Sequence, residues 1–220
     1  MSAPRAGFRV WDLPTRAFHW TLMLLIALQY ASGEFHWLSM RWHFLLGYAT
    51  LALVLFRVVW GFVGSQSARF GAFVRGPLAL MHYTGYALRG HVAAAPGHNP
   101  LGGWSVLALL ASVGAQAASG LFASDDIDEF GPLTGHVSDA FVRRMTALHA
   151  WNRYALLGLI ALHVIAVIVH LLRGENLVAA MWHGQRELED DPRLRFVSIG
   201  RAVLVFAVCA SLIAVVVALG

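Results

Sequence analysis

The sequence predicts an all-α integral membrane protein, with four transmembrane helices in a bundle and a fifth at the C-terminal end. Three observations predict it. The 220 residues are 58% hydrophobic and 13% charged, with a mean hydropathy of +0.63. The apolar residues fall into five runs near the length of about 20 residues that a bilayer core requires. The charges collect between those runs.

The first run covers about 16–31, after a basic start with Arg5, Arg9 and Arg16 against Asp12. It has the outline of a signal peptide, ending in Ala31-Ser32-Gly33. His19 inside it and further spans downstream favour a retained helix. A polar turn at 33–41 leads to a second run at 42–63, with His43 near its start and Arg57 near its end. The connection 64–100 carries Arg69, Arg75 and Arg89 and no acid. Its apolar stretch Pro77–Leu88 is too short to cross and reads as an interfacial helix. Asn99-Pro100 is a helix start, a capping side chain followed by proline at the first helical position. The third run is 101–123. An acidic loop follows, with Asp125, Asp126, Asp128, Glu129 and Asp139 against Arg143 and Arg144. The fourth run is 145–172, and a charged segment, 173–195, reads as solvated surface. The fifth run, 199–219, ends the chain. The division expected is a domain over 1–184 and a charged linker with an additional helix over 185–220.

Composition narrows the function. One cysteine, Cys209, excludes an intrachain disulfide, a cysteine-ligated iron–sulfur cluster and covalent c-type haem attachment. All sixteen basic residues are arginine. The pI near 9.8 therefore reflects the positive-inside pattern rather than nucleic acid, for which the sequence has no motif. Eleven arginines lie in the N-terminus, the 64–100 connection and 173–201, against three in 33–41 and 124–144. The first group is expected on the cytoplasmic side. That puts the N-terminus inside, the acidic loop outside and the C-terminus outside after five spans.

The fourth run carries His149, His163 and His170. At about 100° per residue, the step from His149 to His163 returns to roughly −40° and the next step to roughly −20°. All three project from one apolar face, where an unpartnered imidazole is costly. A bound group along that face would account for them, and haem iron is the first candidate. Depth sorts the histidines. His43 and His149 lie near the outer ends of their runs, and His19 and His163 lie roughly 18–21 Å deeper. His170, roughly 32 Å below His149, is too deep for either pair, although boundary error leaves it open. The candidate metal ligands are therefore His43 with His149 and His19 with His163, holding two bis-histidine haems b. Six-coordinate iron suits electron transfer. Packing histidines are the competing reading, which matched depth and face disfavour.

Arg57 and Arg153 interrupt apolar runs and suit haem propionates, Arg57 at the inner haem and Arg153 at the outer one; snorkelling is the alternative. His170 fits a propionate, a quinone site or the interface. Gly47 and Gly158 lie near ligand positions, where helix contact explains a small residue as well as a close macrocycle does. His36, His82, His91, His98, His136 and His183 read as surface residues. The acidic loop could steer a basic periplasmic partner such as a c-type cytochrome, or simply obey the positive-inside bias.

VWDLPTRAFHW, WHFLLGYATLALVLFRVVWGFVG, GHNPLGGW, SDDIDEFGPLTG and LHAWNRYALLGLIALHVIAVIVHLLRGENLVAAM occur in this order. Over about residues 8–184 the chain resembles the bacterial cytochrome b561 family, close to the cytochrome b subunits of nickel–iron hydrogenases. The resemblance implies a four-helix transmembrane haem-binding bundle in the bacterial cytoplasmic membrane. It implies axial ligands at His19, His43, His149 and His163, and electron exchange between quinone and a redox partner. The fifth run departs from that pattern and reads as a partner-docking helix. The function expected is a di-haem b-type cytochrome linking the quinone pool to a periplasmic redox protein or hydrogenase-like subunits. It would act as a subunit or as a quinone oxidoreductase; a homo-oligomer is open. The alternatives are a haem-free anchor or assembly subunit of a respiratory complex, and a transporter. No internal repeat is apparent to support the transporter.

Overall fold

In the computed structural model the described residues are 6–35, 37–89 and 97–220. They form β1 (Ala6–Arg9), α1 (Leu13–Phe35), α2 (Met40–Val63), α3 (Phe70–Phe73), α4 (Pro77–Leu88), α5 (Pro100–Gly120), α6 (Asp139–Leu172), α7 (Leu177–His183), β2 (Gln185–Leu188) and α8 (Ile199–Ala218). Four of these helices, α2, α5, α6 and α8, are long and apolar enough to cross a membrane. Helix α1 matches them in length, at 23 residues, but not in apolarity. Gln29, Ser32 and Glu34 dilute its last two turns.

Local chemistry starts the helices. The Asp12 carboxylate accepts the Thr15 N–H at 2.9 Å and caps α1. Asn99 accepts from Gly102 N–H at 2.8 Å ahead of Pro100, as its sequence signal predicts. Ser138 caps α6, which therefore begins at Asp139, six residues before the expected start at 145. The charged turn holding Arg143 and Arg144 is helical, because a solvated helix end needs no apolar residues.

Helix α2 is the centre of the bundle, packing on α1, α5 and α8. Phe18, Leu53, Phe56, Trp60, Leu110, Ala202 and Cys209 form the main core. The C-terminal run thus lies against α2 rather than standing apart. Its lead-in is tied to the end of α2, where Gln66 N–H donates to the Arg195 carbonyl at 2.9 Å and Val197 N–H donates to Ser65 Oγ at 3.0 Å.

Helix α6 packs chiefly on α5. In its 34 residues only Leu156 is buried, so a long face of α6 looks across at α1 and α2 without closing on them.

The segment expected as solvated surface is ordered. β2 pairs antiparallel with β1, Ala6 opposite Leu188 and Arg9 opposite Gln185. Arg16 donates to the Met181 and Trp182 carbonyls. Arg186 reaches the Gly97 carbonyl at 3.3 Å. β1, the start of α5 and the segment after α6 therefore share one end of the bundle. Gly220 lies against Pro132 at the other.

Candidate functional site

Two pairs of imidazoles face each other across the space between α6 and the α1–α2 pair. His43 on α2 and His149 on α6 have ring centres 6.3 Å apart, at 76°. His19 on α1 and His163 on α6 are also 6.3 Å apart, at 52°. These are the pairs that depth matching selects from the sequence. The separation has a chemical meaning. Two imidazole nitrogens about 2 Å from a shared metal, each about 1.1 Å from its ring centre, place the ring centres about 6.2 Å apart. Each pair offers two nitrogens, which suits a metal whose remaining positions a macrocycle fills.

The outer pair, His43 with His149, is held by hydrogen bonds that assign its protons. Ser32 Oγ donates to the Gln29 carbonyl at 2.9 Å and lies 2.9 Å from His43 Nδ1. The hydroxyl proton is committed to the carbonyl, so His43 Nδ1 is the donor to Ser32. Ser119 repeats the arrangement, donating to the Gln116 carbonyl at 3.1 Å and lying 3.2 Å from His149 Nδ1. His149 Nδ1 also donates to that carbonyl at 2.8 Å. Both outer imidazoles are therefore Nδ1–H tautomers with Nε2 free to bind a metal.

Glycines complete the cradle. A Cβ at Gly33 would stand 3.1 Å from His43 Cε1, and one at Gly120 would stand 3.1 Å from His149 Cε1. The expected glycines fare differently. A Cβ at Gly47 would meet Gln29 at an ordinary 3.8 Å. Gly158 has nothing within 4 Å and lies about 180° round α6 from His149, away from both pairs.

The inner pair is bare by comparison. His19 Nδ1 is buried without a partner among the described residues. Nearby, Arg57 is 2% exposed and its Nη1 is likewise unpartnered, with the guanidinium 5.2 Å from the Phe70 ring centre and 6.0 Å from that of Phe18. A buried guanidinium with one nitrogen left unpartnered among the described residues fits the carboxylate of a haem propionate.

The sequence reading of His98 as a surface residue is corrected. Its ring packs between Trp11 at 4.8 Å and Phe73 at 4.7 Å, and its Nδ1 is buried without a partner among the described residues. Burial, then the charges of Arg57, His163, His19 and Arg186, push its pKa down to about 3. It is a neutral polar group at the inner site. The local signal was slight: one histidine just before a helix cap. His36 and His91 lie outside the described residues.

The remaining candidates find protein partners. Arg153 pairs with Glu34 at 3.0 Å and donates to the Tyr154 hydroxyl at 2.7 Å, with its side chain 41% exposed. His170 Nδ1 meets Glu175 Oε2 at 3.0 Å, and Arg186 meets the same oxygen at 3.1 Å. His170 thus closes the end of α6 in a charged cluster, apart from both imidazole pairs.

The hydrogen-bonding residues exposed a signal that the sequence reading missed. Gln29–Phe35 reads QYASGEF and Gln116–Phe122 reads QAASGLF. The chain does contain a short internal repeat, and each copy holds one outer imidazole.

A family model described as prokaryotic cytochrome b561 matches residues 10–184. The chain belongs to the prokaryotic cytochrome b561 family. No curated protein matches it. Members of the cytochrome b561 family bind haem b and transfer electrons, so this chain is a multi-pass inner-membrane b-type cytochrome. The matched residues span α1 to α7 and hold every histidine of the two pairs; α8 lies beyond them.

Proposed function

We propose that this cytochrome b561 carries two haems b and passes electrons across the membrane between the quinone pool and a periplasmic redox partner. The observation that carries the reading is the equal 6.3 Å separation of the His43–His149 and His19–His163 rings. Haem would supply the one-electron redox chemistry. The chain supplies four imidazole ligands, a surrounding of low dielectric, and Arg57 toward the inner propionates. Arg153, already paired with Glu34, is at most an outer-rim contact.

Five crossings, α1, α2, α5, α6 and α8, would place β1 and the end of α8 at opposite ends, as they lie. The arginine distribution supports a cytoplasmic N-terminus and a periplasmic acidic loop. The four carboxylates at 125–129 suit a basic electron-transfer protein or a subunit of a larger complex. A reduced-minus-oxidised spectrum with a pyridine haemochrome assay tests the proposal. Two low-spin haems per chain support it, and a folded, colourless protein made with ample haem sinks it.

A further inference from the structure

The two imidazole pairs match in spacing and differ in their hydrogen bonds. Both outer imidazoles donate from Nδ1 to a serine hydroxyl that is itself tied to a backbone carbonyl. His149 has a direct carbonyl acceptor as well. The repeated glutamines brace these turns, Gln29 donating to Thr50 Oγ1 at 3.0 Å and Gln116 accepting from Asn152 Nδ2 at 2.8 Å. The inner imidazoles, His19 and His163, make no side-chain hydrogen bond among the described residues.

An Nδ1–H hydrogen bond raises the electron donation of a metal-bound imidazole. A stronger donor stabilises Fe(III) over Fe(II). Nearby charge is mixed: Asp125, Asp126, Asp128 and Glu129 gather at the outer end, but the charge of Arg153 also reaches His149, and Arg57, opposed in part by Asp12, lies buried at the inner site. The hydrogen bonds carry the difference between the two pairs.

We propose that the two copies of the Gln-x-Ala-Ser-Gly-x-Phe repeat make the outer site the lower-potential one, with Ser32 and Ser119 as its positioning residues. One electron leaving outer Fe(II) and reducing inner Fe(III) then runs downhill, from the acidic-loop end toward the end that holds β1 and β2. This rests on the di-haem reading, and the two can fail separately.

The test is a potentiometric titration of the full chain in detergent, with haem per chain counted in the same samples. Wild type is expected to show two one-electron waves, the lower of them lost in His149→Ala. Ser32→Ala with Ser119→Ala removes both hydroxyls. The lower wave should then rise by about 59 mV, a tenfold change in the one-electron equilibrium, while the upper wave stays. Ser→Thr at both positions restores the wild-type value. If the double variant does not fold, each single serine variant should raise the same wave by a smaller step. Two haems retained with an unmoved lower wave would overturn the inference, as would loss of the lower wave in His163→Ala instead. A wild-type chain holding fewer than two haems would overturn the di-haem reading beneath it.

Discussion

The buried carboxylate of Asp12 accepts the indole N–H of Trp60 at 3.0 Å. Asp12 also caps α1 through the Thr15 N–H. One side chain thus starts the first helix and ties it to the far end of α2, beside the inner imidazole pair. Asp12→Ala removes the cap and strands a buried donor on Trp60. The expected loss is about 2–4 kcal/mol, read by denaturation of the detergent-solubilised protein. Asp12→Asn keeps one acceptor oxygen and should lose less. Equal losses in the two variants would argue against the hydrogen bond.

His149→Ala should release the haem of the outer pair and spare that of the inner one, with His163→Ala doing the reverse. Each variant is expected to hold one haem per chain, with different α-band positions. Two haems in either would refute the ligand assignment.

The outer imidazoles leave no room beside them. Gly33→Ala and Gly120→Ala each bring a Cβ to 3.1 Å from an imidazole carbon, so the ring must shift by a few tenths of an ångström. Haem per chain should fall, with the loss confined to the outer site. Gly158→Ala meets open space and is expected to keep full haem content, with a gain of up to about 1 kcal/mol from helix propensity. A haem loss in Gly158→Ala would mean that the macrocycle reaches that face of α6.

Two arginines of similar appearance in the sequence should behave differently. Arg153→Gln breaks a half-exposed ion pair with Glu34 and should cost no more than about 1 kcal/mol, with both haems kept. Arg57→Gln removes a buried guanidinium whose Nη1 has no hydrogen-bond partner among the described residues and should lower haem per chain toward one. Haem analysis of the two proteins side by side decides it.

The acidic loop should respond to pH through Asp125. The N–H groups of Glu129, Ile127 and Asp128 point at its carboxylate and hold its pKa below the ordinary 3.8. A lowered folded value means that the carboxylate stabilises the folded loop above the unfolded pKa. That contribution is lost as pH falls through the folded value. Protection factors of 125–129, taken against the intrinsic exchange rate at each pH, should therefore fall below about pH 4, and Asp125→Asn should remove that fall. An unchanged profile in that variant would exclude Asp125 as the titrating group.

The depth of each histidine was legible because an α-helix converts sequence distance into rise at a fixed rate. Residues 19, 43, 149 and 163 needed no tertiary information to be grouped, only the positions of the apolar runs. The start of α6 was misjudged because hydropathy marks what lipid covers, whereas the helix continues to its cap at Ser138. The repeat around Ser32 and Ser119 was present in the letters. Two short polar segments carry little weight until their hydroxyls are seen beside His43 and His149.

The sequence by itself determined the class of protein, the existence of the long helices and the pairing of the histidines, since all three follow from local periodicity and the length scale of the bilayer. Only the tertiary structure decided which groups surround each pair. The β1–β2 ladder, the seating of α8 on α2, the burial of His98 between Trp11 and Phe73 and the capture of Arg153 by Glu34 all join residues far apart in the chain. Such contacts depend on how the helices turn about their axes and lean on one another, and no local pattern encodes that.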